Sequence, residues 1–229
     1  DAANWFNGII PNTINTMAIF TNTLPTAITI TNDLTDLALN AISVHATNSI
    51  TFTGNTLAML NTSLTPRIET TNGIHTFDLP ITLASLGLTA KSTISSALTF
   101  LKPIAGAGGL TINPTTTGGG TVTLAATNTY TGPTVVGCGT LVLPSLADGG
   151  QPCAAGAASA NPTNLILGPG TLRYTGPAIT LDRGLTMNPG NQKAALLAID
   201  SDVTLTGPIL VQSGRSEERR VGKECRSRW

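Results

Sequence analysis

Apolar and polar residues alternate along most of this chain with a period of two, in short runs closed by Gly, Pro or Asn. From residue 106 onward the runs are "GLTI" (109–112), "TVTLA" (121–125), "TVV" (134–136), "TLVLP" (140–144), "NLIL" (164–167), "TLRY" (171–174), "AITL" (178–181), "GLTM" (184–187), "ALLAI" (195–199), "VTLTG" (203–207) and "ILVQ" (209–212). Ahead of them the pattern is looser: "MAIF" (17–20), "AITIT" (27–31), "LALNAISV" (37–44), "SITFTG" (49–54), "TLAML" (56–60), "IHTFDLPITLA" (74–84) and "SALTFL" (96–101). Nowhere is there a sustained 3.6-residue apolar period, so the pattern predicts an all-β chain of short strands and tight turns.

Sandwiches and barrels also show short strands at regular spacing, and composition decides between them and a solenoid. Charged residues are 10% of the chain, against about a quarter in a typical soluble protein, while Thr occurs 39 times. The outward strand positions are therefore mostly Thr, Ser and Asn. Such residues can stack like over like at about 4.8 Å without the repulsion a ladder of like charges would suffer. This predicts a right-handed parallel β-helix, incomplete at its C-terminus. At roughly 20 to 25 residues per rung it would have about nine rungs and be about 45 Å long.

The net charge of zero is a sum over unlike parts. Residues 1–214 hold six Lys or Arg against nine Asp or Glu, and residues 215–229 hold six against three. The body has no basic stripe of the kind nucleic acid requires. Its longest purely apolar run, 194–199, falls far short of the roughly 20 residues that span a bilayer as a helix, so no transmembrane helix is predicted. Cys138 and Cys153 fit either a single disulfide loop or two buried thiols.

One stretch carries a resemblance. "GAGGLTINPTTTGGGTVTLAATNTYTGPTVVGCGTLVLP" (106–144) resembles the passenger-associated, or autotransporter-associated β-strand, repeat of bacterial autotransporters. The matching positions are Leu110 and Thr111, Gly118 to Gly120, Thr121 to Leu124, Asn128, Thr129, Tyr130, Thr131 and Gly132, Thr134, and Gly139, Thr140 and Leu141. Residues 161–190 resemble linking rungs of that family, residues 203–209 a further rung, and residues 4–20 the start of such passengers. Two features depart from the pattern: "GGGTVTL" in place of "GTGTLTL", and cysteines, which passengers generally avoid.

The resemblance implies a non-enzymatic stalk, exported to the bacterial cell surface through an outer-membrane β-barrel translocator encoded in cis. Display or adhesion to surface ligands would be its output. A secreted repeat protein with a C-terminal sorting anchor is the other ending this repeat occurs with. Within the motif, Gly132 and Gly139 are expected to supply positive φ, Asn128 to satisfy backbone groups at a corner, and Tyr130 to stack on a neighbouring rung. Thr129, Thr131, Val135 and Val136 are expected to pack on pleated faces.

Reactive chemistry is sparse. Gly106 and Gly108 hint at a dinucleotide loop, but Thr111 stands where its third glycine belongs and no helix follows, so the segment reads as a turn. His45 and His75 lack a second ligand at metal spacing and read as a solvated or a core histidine. Asp200 and Asp202 are placed on one strand face, where paired carboxylates could serve a polysaccharide-cleaving β-helix, but the residues around Ser201 also read as a capped turn. "NTS" at Asn61 matches a glycosylation acceptor, to which the bacterial resemblance gives no meaning. No cofactor or metal site is predicted.

The organisation expected is thus less regular rungs over 1–105, repeat-bearing rungs over 106–214, and a foreign tail over 215–229. "RSEERRVGKECRSRW" matches, codon for codon, the translation of a short-read sequencing adapter, and Cys225 and Trp229 are set aside with it. The start at Asp1, without Met or an apolar signal, reads as a processed or incomplete frame.

Overall fold

The computed structural model describes residues 10–21, 26–114, 119–190 and 194–212. The adapter-like tail, Gly118, and positions 4–9 of the passenger-like opening lie outside the described residues. Among the described residues the regular secondary structure is almost entirely strand, joined by turns and bends, with a single 3-10 turn at Pro162–Asn164. Every strand pair is parallel, and each strand pairs with the equivalent strand one turn away, so the chain is a parallel β-solenoid of three faces.

Face A is the most regular. It stacks eight strands: Ile28–Asn32, Ile50–Gly54, Ile74–Asp78, Ala97–Phe100, Thr121–Leu124, Thr140–Leu143, Thr171–Tyr174 and Leu196–Ile199. These define eight rungs, each continuing through face B and face C. Face B holds Leu57–Met59, Ile81–Leu83 and Ile104–Gly106, then residues 128–131, and later the pair Ile179–Leu181 and Val203–Leu205. Face C runs from Arg67–Thr70 and Leu88–Ser92 through Leu110–Ile112, Thr134–Val136, Leu165–Leu167 and Leu185–Met187 to Ile209–Val211. Strand Ala38–Val44 bends across the corner, pairing with face B through Leu39 and with face C through Ile42.

Partners on face A lie 22 to 25 residues apart, with two exceptions in succession. Thr140 stacks on Thr121 after only 19 residues, and Thr171 on Thr140 after 31. The long step offsets the short one, so the mean stays within the expected 20 to 25 residues; the count is eight where composition predicts about nine because the first face A strand begins only at Ile28, and the stack spans roughly 34 Å at about 4.8 Å per step.

Alternation sets the inside and outside of each strand, as the period of two demands. On face A one inward column runs through Leu98, Val122, Leu141 and Leu172, and the next through Phe52, Phe77, Phe100, Leu124, Leu143 and Tyr174, all buried. Phe52, Phe77 and Phe100 form a stack with ring centroids 4.6 and 5.3 Å apart, and Phe20 meets Phe52 edge-on at 5.1 Å. Outward, Thr29, Thr51, Thr76, Thr99 and Thr123 line up in five consecutive rungs, and Thr121, Thr140 and Thr171 in three. The like-over-like threonine ladder expected from composition is thus present on this face.

Two differences from the pattern have simple causes. The run at 74–84 is two strands, because Leu79 and Pro80 make a corner and Pro80 has no N–H for the ladder. Strands Arg67–Thr70 and Leu88–Ser92 escape a reading based on apolar runs, since their outward positions carry Arg67, Glu69 and Lys91. Their inward residues, Ile68, Leu88 and Ala90, still alternate with these and are buried.

Candidate functional site

The repeat motif spans two rungs: residues 128–132 enter and follow face B of the fifth, and Gly139 to Leu141 open face A of the sixth. Asn128 is 1% exposed and joins three rungs. Its Oδ1 accepts from the Ile104 N–H at 2.8 Å, its Nδ2 donates to the Ala154 carbonyl at 2.7 Å, and its own N–H donates to the Cys153 carbonyl at 2.9 Å. A short amide does this because it carries both donor and acceptor at the distance of a missing peptide unit. Replacing Asn128 by Ala strands a buried N–H and a buried C=O and is expected to lower unfolding stability by about 2–4 kcal/mol, measurable by urea denaturation. Asn128→Asp, which keeps the acceptor but turns a carboxylate on the Ala154 carbonyl, should not rescue it.

Thr129 and Thr131 are exposed, but their N–H groups donate to the carbonyls of Ile104 and Gly106 at 2.9 and 3.0 Å, continuing face B. Between them Tyr130 points inward and is fully buried. Thr134 Oγ1 donates to the Ala155 carbonyl at 3.0 Å, which leaves the Tyr130 hydroxyl to donate to Thr134 Oγ1 at 2.6 Å. Burial pushes the phenol well above its ordinary pKa, and the hydrogen bond to Thr134 offsets this only in part. The ring lies on Gly156, where a Cβ would come within 2.6 Å of it. Thr140 stacks between Thr121 and Thr171, and Leu141 is buried between Val122 and Leu172.

The two motif glycines differ. Gly139 has φ 72°, in the left-handed region. Gly132 corrects the expectation, because its φ is not positive. It is needed for close approach instead: a Cβ there would sit 2.3 Å from the Gly109 nitrogen and 2.5 Å from the Gly108 carbonyl carbon.

Residues 144–164 make the sixth rung long. They replace a regular face B strand with a small-residue loop, packed over the motif corner by Cys153, Ala154, Ala155 and Gly156, all buried. Arg183, 1% exposed, holds this loop from the seventh rung. Its Nε donates to the Ala147 carbonyl at 3.1 Å, and its Nη2 reaches the carbonyls of Gly156 at 3.2 Å, Asp148 at 3.4 Å and Gln151 at 3.5 Å. Outside, Asp182 Oδ1 accepts from the Gly149 N–H and Asp148 Oδ1 from the Asp182 N–H, at 2.7 and 2.8 Å. Sequence reasoning missed both loop and arginine. The signal present was the spacing of "GTL" at 139–141 from "GTL" at 170–172, and one arginine inside the apolar "ITLDRGLTM".

The other candidates separate. His75 is in the core and His45 is exposed. His45 contacts Ser43 Oγ and Thr71 Oγ1, both at 2.9 Å, and Ser43 donates to Glu69 at 3.1 Å. Asp200 and Asp202 do not share a strand face. They flank Ser201 in the corner between Leu196–Ile199 and Val203–Leu205, where the Asp200 carboxylate accepts from Arg173 Nη2 at 2.9 Å and Ser201 Oγ donates to the Gly176 carbonyl. Cys138 and Cys153 are both buried thiols, with no disulfide between them. Among the described residues, no three His, Cys, Asp or Glu side chains gather to hold a metal, and no helix is long and apolar enough to cross a membrane.

Faces of stacked threonines and a corner tied together by side-chain to backbone bonds define an elongated β-solenoid built by repetition. No known protein-family model matches the chain, and no solved structure matches it. Over 100 residues it is 39% identical to the adhesin BmaC autotransporter of Brucella suis biovar 1 (strain 1330). The matched stretch is 44% of this chain and 3% of that protein, so the chain spans a small part of the relative's length. This likeness and the parallel solenoid agree with an autotransporter passenger repeat region.

Proposed function

We propose that this chain is a stalk segment of a surface-exposed, autotransporter-like adhesin, holding more distal binding elements away from the cell. The observation that carries the reading is the coincidence of an eight-rung parallel solenoid with 39% identity to a protein named as an adhesin autotransporter. A solenoid suits the task because each rung contacts only its neighbours, so length is added without rebuilding a core. In this reading the motif from Asn128 to Leu141 is a structural stitch and touches no ligand. Residues 106–214 are the repeat-bearing part, and export passes through an outer-membrane β-barrel belonging to the same polypeptide. The role is mechanical, with no catalytic step.

Antibodies raised against residues 106–144 test it on the full-length protein in its own bacterium. Labelling of intact cells that is lost after brief protease shaving is expected. Labelling seen only after permeabilisation would sink the reading. Soluble chain that fails to compete for attachment would support a stalk, whereas competition at micromolar concentration would place adhesion in these rungs themselves.

A further inference from the structure

We propose that His75 makes the third rung acid-labile, a proton-sensitive seam built into an otherwise inert stack. The ring is fully buried on the inner side of face A, beside Ile50 and paired with Leu98, in a column that is otherwise aliphatic. The Ile50 N–H donates to Nδ1 at 3.1 Å, so Nδ1 carries no proton. Nε2 lies 2.7 Å from the Asn72 carbonyl and therefore carries the proton and donates. Both nitrogens are satisfied by this one neutral tautomer. Gly73, with φ 73°, lets the ring close on the corner: a Cβ there would stand 2.9 Å from Nε2 and 2.7 Å from the Ala46 carbonyl.

Acid undoes this arrangement in two ways. A proton on Nδ1 faces the Ile50 N–H, donor against donor, and the bond joining the second and third rungs is lost. The new charge is also left inside with no counter-ion. On its own strand, Asp78 faces outward to Lys102 at 3.4 Å. On the second rung, Glu69 lies 3.5 Å from Arg67 and bonds Ser43 on the outer side of face C, and His45 bonds Ser43 and Thr71 there too. Lys91 pairs in register with Glu69 on that same outer side, and strand Ala97–Phe100 of the fourth rung carries no titratable residue. None of these groups faces the ring.

Burial accordingly holds the imidazole below its ordinary value of 6.5, against the opposing pull of the Asn72 and Ala46 carbonyls. With the folded-state value depressed, the unfolded chain binds the extra proton first. The stability contributed by neutral His75 is thus complete above about pH 6.5 and is lost as pH falls through the folded value.

Hydrogen exchange by mass spectrometry on the whole chain, at about pH 7.5 and about pH 5, reads the seam directly. After correction for intrinsic chemistry, peptides covering 44–54 and 70–80 should exchange faster in acid by a factor on the order of ten, as losing one buried hydrogen bond implies. Peptides covering 165–187 should not respond. His75→Gln, with a donor and an acceptor but no titration, should abolish the difference, and His45→Gln should leave it intact. A wild-type difference that is absent, that persists in His75→Gln, or that follows His45 overturns the proposal. Should His75→Gln fail to fold, NMR titration of the wild-type imidazole decides: a midpoint at or above 6.5 overturns the proposal, and one below it upholds the proposal.

Discussion

Phe77→Ala is expected to lower unfolding stability by about 3–5 kcal/mol, the range for removing a buried phenylalanine from a core that cannot fully collapse. Phe77 is fully buried between Phe52 and Phe100, so truncation removes both ring contacts as well as the buried area. The backbone ladder keeps the rungs at strand spacing, and the neighbours cannot close the gap without breaking hydrogen bonds on all three faces. Phe77→Leu, which matches the Leu124 and Leu143 that continue the column, should recover more than half of the loss. Because a solenoid's stability is close to a sum of nearest-neighbour terms, damage should stay local. Exchange protection should fall in peptides from 50 to 100 while peptides beyond 165 keep theirs. A uniform loss along the chain would show that the rungs unfold as one cooperative unit and would contradict this account.

Arg183→Met should act at the other end, by about 2–4 kcal/mol. The substitution keeps most of the side-chain volume but leaves the Ala147 carbonyl without this donor and the Gly156 carbonyl with only the weak Cys153 thiol, at 3.3 Å. One effect works the other way, since the guanidinium is buried with no carboxylate partner among the described residues and with its Nη1 unbonded, and removing it relieves a desolvation cost. The carbonyl losses outweigh it because the loop owes its position to this fork, which serves four backbone acceptors spread over residues 147–156. Limited proteolysis should then cut faster within 147–157 than it does in the wild type. Arg183→Lys should fare little better, because a single ammonium cannot span acceptors that a planar fork reaches together. If Arg183→Lys were as stable and as protease-resistant as the wild type, the fork would not be what holds the loop.

Much of the motif corner was foreseeable and part was not. Asn128 as a backbone-satisfying residue follows from the chemistry of a short amide at a strand end, and Tyr130, expected to stack on a neighbouring rung, lies against Gly156 in the loop of the next. Gly132 was misread because a glycine between strands suggests positive φ, whereas the need here is for one rung to approach Gly108 and Gly109 of the rung before. That need exists only once two segments 24 residues apart lie side by side.

By itself, then, the sequence determined whatever depends on neighbours along the chain. The period of two specified strands and which side chains face in, and the thinness of charge allowed threonines to stack over threonines, so the solenoid class and most strand positions were legible. Tertiary structure decided what depends on register between rungs. Rung length is set by how far each corner must travel before it finds its partner, and no local pattern records that distance. So the 31-residue sixth rung, the loop it carries and the burial of Arg183 beneath that loop emerge only from the stack. His75 follows the same rule: the sequence left it as either a solvated or a core histidine, and its burial and its bond to Ile50, 25 residues earlier, are properties of two rungs in contact.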